Sequence, residues 1–219
     1  MTRVRITMAV AGVGLLVGLS VLAPAIASAK QATPPGMITR ADVPTVLGTP
    51  KPGKDNYTIT GMYPEDMGLC TTATSQPELT VGGAAGWQVT ILLSGKGYRE
   101  LNQRMSTFGS DGAASSTFAQ LQALARQCNV VVRTPINADG NLSDGYYTDT
   151  TTTGMSGDNV WISTNSRATS KDSRINGSVT TTYTVYSLQD NAIMQTWVYF
   201  NGTRTTTPAQ RAAVNSLAS

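Results

Sequence analysis

Cys70 and Cys128 are the only cysteines in the chain, and no histidine occurs to share a metal with them. A Cys/His zinc site is therefore out of reach. What the pair does instead depends on compartment, and the N-terminus speaks to that. Arg3 and Arg5 precede an apolar run from Met8 to Ala23, followed by Pro24 and the small-residue ending Ala27-Ser28-Ala29. This is the layout of a secretory signal, residues 1–29, with cleavage between Ala29 and Lys30. The run falls short of the ~20 residues that span a bilayer, and it contains Gly12, Gly14 and Gly18. No cysteine stands near the cut to take a lipid. The expectation is a secreted or cell-envelope protein with no membrane span after cleavage. An even cysteine count in an exported chain normally pairs. A Cys70–Cys128 bond is expected, worth about 4 kcal/mol on the chain-entropy account.

The remaining length suits one domain with a worthwhile core. Charged residues are 13% of the chain, about half the usual share, while Thr, Ser, Gly and Asn are plentiful. The formal charge of +3 shrinks when Arg3 and Arg5 leave, and Lys and Arg form no run of three. A nucleic-acid partner would need such a basic footprint, so none is expected.

Residues 30–36 (KQATPPG) read as a flexible leader, broken by Pro34, Pro35 and Gly36. In MITRADVPTVLG, Thr39 caps a short helix with Val43, Val46 and Leu47 on one face and Gly48 as its stop. Trp87 to Leu93 is the clearest early strand. Tyr98, Leu101, Met105 and Phe108 fall at helical spacing, with Gly109 after them. Phe118, Leu121, Leu124, Ala125 and Cys128 repeat that spacing. Cys128 then projects from the buried face at the end of its helix, pinning it to the irregular segment around Met67–Cys70.

Beyond Asn129 the chain is β-rich. Val130 to Val132 is a short strand closed by Pro135, and residues 137–158 form a polar long loop or weak hairpin around Gly140 or Gly145. Strands follow at residues 159–164, 178–188 and 192–200, with Gln189-Asp190-Asn191 as the turn of the last hairpin. Thr207-Pro208 opens a terminal helix carrying Ala212, Val214 and Leu217. Helices segregated from neighbouring strands read as α+β: an antiparallel β-sheet with helices packed on one face and one disulfide.

Familiar catalytic signatures fail one by one. Without His, a Ser-His-Asp or Cys-His arrangement cannot be built. Ser-x-x-Lys, Gly-x-Ser-x-Gly and a phosphate-cradling glycine loop are missing from the sequence. Asp139-Gly140-Asn141 with Asp144 loosely resembles a calcium loop but lacks its spacing and closing Glu. Paired carboxylates could serve a hydrolase. Glu65-Asp66, Glu78, Glu100, Asp139, Asp144, Asp149 and Asp158 are the candidates, most of them among turn residues. No catalytic, cofactor-binding or metal residue is assigned, and the expectation is a protein that is not an enzyme. Aromatics remain. Alternation in Ser178–Leu188 puts Thr180, Thr182, Thr184 and Tyr186 on one face, with Val179, Tyr183 and Val185 toward the core. Tyr186 and Trp161 are the two residues offered as walls of a ligand cleft.

The capped segment ITRADVPTVLG, the early Cys, the helix FAQLQALARQC, the hairpin DNAIMQTWVYFNG and the terminal helix after Thr207-Pro208 resemble one family. It is that of the PknH-like extracellular sensor domains of actinobacteria, carried on receptor kinases or as free-standing secreted proteins. The resemblance covers roughly residues 37–219. It implies an antiparallel sheet with packed helices and a cleft for a ligand: a small molecule, lipid, glycan or peptide. Two features depart from the family: a second disulfide has no cysteines here, and the sequence shows no kinase domain. The resemblance brings no catalytic motif with it. A carboxylate-based hydrolase and an envelope protein–protein interaction module are the alternatives.

Overall fold

Alternation of apolar and polar residues builds most of what the computed structural model describes, namely residues 35–62, 67–70, 78–79, 85–136, 142–202 and 205–219. The signal, its Ala29–Lys30 cut and most of the leader lie outside the described residues. Eight antiparallel strands form the main sheet: β1 Tyr57–Met62, β4 Ala85–Leu93, β5 Arg99–Thr107, β6 Val130–Pro135, β7 Gly145–Ser156, β8 Asn159–Ser170, β9 Val179–Gln189 and β10 Ala192–Asn201. Their order is β1-β4-β5-β10-β9-β8-β7-β6. β2 Met67–Gly68 and β3 Glu78–Leu79 pair in a small second sheet.

The two helices divide between the faces of the main sheet. α2 (Pro208–Ala218) begins with a reciprocal cap between Thr207 and Gln210, and Pro208 stands in its first turn. Val214 and Ala218 bury against Val89, Ile91, Leu101, Tyr183, Val185, Val198 and Phe200. α1 (Asp111–Ala125) is capped by Ser110 and buries Ala114, Phe118, Leu121 and Ala125, one stripe of the helix. That stripe and Cys128 pack on Val160, Ile162, Tyr186 and Ile193, which point the opposite way from the strands. The antiparallel sheet, the packed helices and the disulfide are as expected. The helices take one face each rather than sharing one.

Three local expectations give way. The helix drawn through Tyr98–Phe108 is a strand, β5, paired along its length with β4 and β10. The turn between β4 and β5 needs Gly97: its φ is 73°, and an added Cβ would sit 2.3 Å from the Asn201 carbonyl oxygen. Once that hairpin forms, Leu101 and Gln103 turn to one face and Asn102 and Ser106 to the other, and all four are buried. Tertiary pairing thus overrides a local helical period. The short helix after Thr39 is two 3-10 turns, Arg40–Asp42 and Thr45–Leu47. Pro44 separates them, since proline pushes the preceding Val43 into extended conformation, ψ 112°. The polar stretch 137–158 is largely strand β7, where the β-branched run Thr150–Thr153 suits a pleated surface.

Candidate functional site: the polar face beside the disulfide

α1 covers only part of its face of the sheet. The disulfide between Cys70 and Cys128, 58 residues apart in sequence, ties the segment Gly68–Cys70 over the same face. Between that segment and the strands lies an open cavity of about 440 Å³. Its floor follows from register. Thr151 of β7 pairs with Thr164 of β8, which pairs with Thr182 of β9. Ile162 pairs with Thr184, and Thr184 with Trp197 of β10. Tyr186 pairs with Gln195. Asp149 stands at the β7 end.

Trp197 is shared with a second cavity of about 310 Å³, whose other walls are Tyr98, Glu100, Asn102 and Tyr199. Here a hydrogen-bond chain crosses the strands. Thr90 Oγ1 donates to Asn102 Oδ1 at 2.6 Å, and Asn102 Nδ2 donates to Glu100 Oε1 at 2.7 Å. The Tyr98 hydroxyl donates to Glu100 Oε2. That bond to a carboxylate pushes the Tyr98 phenol up to about 12, with burial adding to it.

The polar groups of this face are incompletely matched. Gln195 Nε2 donates to the Tyr186 hydroxyl at 3.1 Å, leaving Gln195 Oε1 buried and unpartnered. Arg104 lies over the Trp197 ring, 6.0 Å from its centroid, and gives Gln88 Oε1 a contact of 3.4 Å, but its Nε is buried without a partner. Ser106 Oγ is the third orphan among the described residues. Strand pairing puts all three on the face that carries Tyr186 and Trp197. Buried polar atoms are normally satisfied, and of these three only Gln195 Oε1 belongs to a residue that lines the cavity.

Of the two residues offered as cleft walls, Tyr186 lines the larger cavity, 1% exposed. Burial pushes its phenol well above the ordinary range, opposed by the Gln195 bond and the Arg104 charge. Trp161 does not join it. It packs on the α2 face, its ring centroid 6.1 Å from that of Tyr183, and Gly154 leaves room for it: a Cβ there would lie 2.5 Å from the indole. The carboxylate candidates are scattered. Asp144 pairs with Lys171 at 3.8 Å on the surface. Glu100 and Asp149 sit on strands separated by β10, β9 and β8, roughly 19 Å at ordinary strand spacing, too far for a glycosidase pair. Glu65, Asp66 and Asp139 lie outside the described residues, as does the side chain of Glu78. Among the described residues no group of metal-ligating side chains gathers, and no helix is long and apolar enough to cross a membrane.

Sequence reasoning counted Trp197 among the strand aromatics but chose Trp161 over it, and it missed Gln195 and Asn102. The signal was present in the alternation Ala192–Phe200, where Met194, Val198 and Phe200 bury on one face and Gln195, Trp197 and Tyr199 turn to the other. Asn102 became visible only once β5 was a strand.

Fold and site together define an α+β domain with a broad antiparallel sheet, one covered apolar face and one half-covered polar face held by a disulfide. No family model and no curated protein matches the sequence. Among solved structures, the extracellular domain of PknH from Mycobacterium tuberculosis is similar, with a TM-score of 0.55 at 14% identity over 84% of this chain and 90% of that one. At that identity the likeness is one of fold, and the chain has a PknH-like fold.

Proposed function

We propose that this chain is an extracytoplasmic, sensor-type ligand-binding domain, delivered by the signal in residues 1–29 and comprising residues 37–219. Its ligand enters the cavity between the sheet and the tethered Gly68–Cys70 segment. The observation that carries this reading is the buried, unpartnered Oε1 of Gln195, a residue in the wall of the 440 Å³ opening. An open, part-polar cavity of that size fits a small ligand. The fold likeness to an extracellular domain agrees with the compartment that the signal and disulfide imply.

Native mass spectrometry of the protein secreted by its own host tests the proposal. The expected result is a chain beginning at Lys30 with a retained small molecule, released when Tyr186→Trp fills the cavity wall. Steady turnover of an ester or glycan, abolished by substituting Glu100 or Asp149, would replace binding with catalysis. A chain that keeps Met1 to Ala29 would refute export by cleavage.

A further inference from the structure

The chemistry of the two cavity walls narrows the ligand class. An acyl chain would need an apolar lining, yet Leu69 and Ile162 are the only aliphatic side chains facing the larger cavity among the described residues. An anionic head group would need a base. No Lys or Arg lines either cavity among the described residues, while each carries one carboxylate, Asp149 or Glu100. The Arg104 guanidinium stands over the Trp197 ring and against Gln88, and lines neither cavity. An extended peptide would need an open strand edge. The floor strands β5, β10, β9, β8 and β7 are all interior to the sheet, their backbone groups spent on neighbours.

What the walls do offer is hydroxyls, carboxylates and aromatic faces. Thr182 and Thr184 present hydroxyls that make no hydrogen bond to any described residue, and two strands away Asp149, whose Oδ2 accepts from Thr134 Oγ1 at 3.0 Å, keeps acceptor capacity for more. Across Trp197 the pattern repeats, with Glu100 and Asn102 next to Tyr98 and Tyr199. Each Glu100 oxygen already accepts one bond, from Asn102 or Tyr98, and keeps a lone pair for another. Indole and phenol rings stack on the C–H faces of pyranoses, while carboxylates and amides take the hydroxyls at the ring edges. Resting on the ligand-binding reading above, we infer that the ligand is a neutral oligosaccharide laid across Trp197, with sugar units in both cavities.

The test titrates the full secreted chain with maltohexaose, cellohexaose and mannohexaose, following tryptophan fluorescence and heat. Hyaluronan hexasaccharide and phosphatidylglycerol vesicles serve as acidic and lipid comparators. A neutral hexasaccharide binds saturably, and its monosaccharide binds far more weakly because it fills one cavity. Trp197→Ala weakens binding by about tenfold or more, as central aromatic anchors do. Tyr98→Ala removes an exposed ring at a turn, so it weakens binding with the melting temperature unchanged and keeps the test decisive should Trp197→Ala fold poorly. Binding of the acidic sugar or the vesicles alone overturns the sugar class and leaves the ligand-binding reading standing. A folded chain that binds none of the five probes overturns the sugar class, and if its native mass spectrum also shows no retained molecule it overturns the ligand-binding reading too. Neutral-sugar binding indifferent to Trp197 and Tyr98 overturns the site.

Discussion

Two glutamines separate the two faces of this sheet. On the α2 face, Gln103 is buried and every polar atom of its side chain is used. Oε1 accepts from the Ile38 amide at 2.7 Å, and Nε2 donates to Thr196 Oγ1 at 3.1 Å and to the Leu217 carbonyl at 2.9 Å. It stitches the N-terminal segment, β10 and α2 to one strand. On the α1 face, Gln195 makes one bond and leaves Oε1 unpartnered. A satisfied polar group in an apolar layer fixes a unique structure, whereas an unsatisfied one beside an opening leaves an acceptor unused. The α2 face is closed over satisfied groups, and the other carries a core under α1 and an open cavity beyond it.

The largest expected effect tests the apolar half of that contrast. Phe200, fully buried among Leu101, Val198 and Val214, is on the same strand as Trp197 but points the other way. Phe200→Ala should cost about 3–5 kcal/mol in denaturant unfolding. Trp197→Ala, half-buried on the polar face, should cost clearly less, and equal losses would break the comparison.

Next comes the disulfide, which lies on the face with the cavity. Replacing both Cys70 and Cys128 by Ser should cost about 2–5 kcal/mol. It should also release the Gly68–Cys70 wall, so ligand retention falls even at temperatures where the sheet persists. Alkylation of the unreduced, denatured wild-type chain should find no free thiol. A variant that keeps both its melting temperature and its ligand would show that the bond holds neither.

The same division explains what was legible in the sequence. Caps, turns and cysteines announce themselves locally, so the terminal helix after Thr207, the hairpin at Asp190-Asn191 and the Cys70–Cys128 bond were all readable. β5 was not. Its core-facing positions include Gln103, a polar residue that reads as surface until Ile38, Thr196 and Leu217 arrive from distant parts of the chain to satisfy it. Strand parity fared the same way. Alternation placed Tyr186 with Thr182 and Thr184, which does line the cavity. The face of Trp161 depended on how β8 pairs with β9, where it stands opposite Val185 rather than Tyr186.

A smaller effect concerns alkali. Burial keeps the Tyr186 proton on the folded protein above the ordinary value of 10.0, whereas the unfolded chain releases it there. Tyr186 thus contributes its full share of stability below pH 10 and loses it as pH rises further. Tyr98, also raised, acts in the same direction but weakly, because it is 44% exposed. Tyr186→Phe should flatten the alkaline decline in melting temperature while costing about 1 kcal/mol at neutral pH, for the lost hydrogen bond to Gln195. An unchanged alkaline profile would place the lability elsewhere.

The smallest expected change, at Thr184, is the most discriminating when the same chemical change is made on the other face, at Thr196. Thr196→Val swaps a hydroxyl for a methyl where Thr196 is fully buried, and it takes away an acceptor from Gln103. It should cost about 1–3 kcal/mol, the penalty for a buried donor left unpaired. Thr184→Val makes the identical swap on the cavity floor, where the hydroxyl is half-buried and bonds to no described residue. Its stability change should stay within about 0.5 kcal/mol. Ligand retention should show the opposite order: unchanged for Thr196→Val, weakened for Thr184→Val, whose hydroxyl faces the opening. Thermal melts and titrations on the two variants separate the roles without removing any bulk from the core. If both substitutions destabilise alike and neither alters retention, the hydroxyl row of β9 is ordinary sheet surface, and the division between the two faces fails at the residue that defines it.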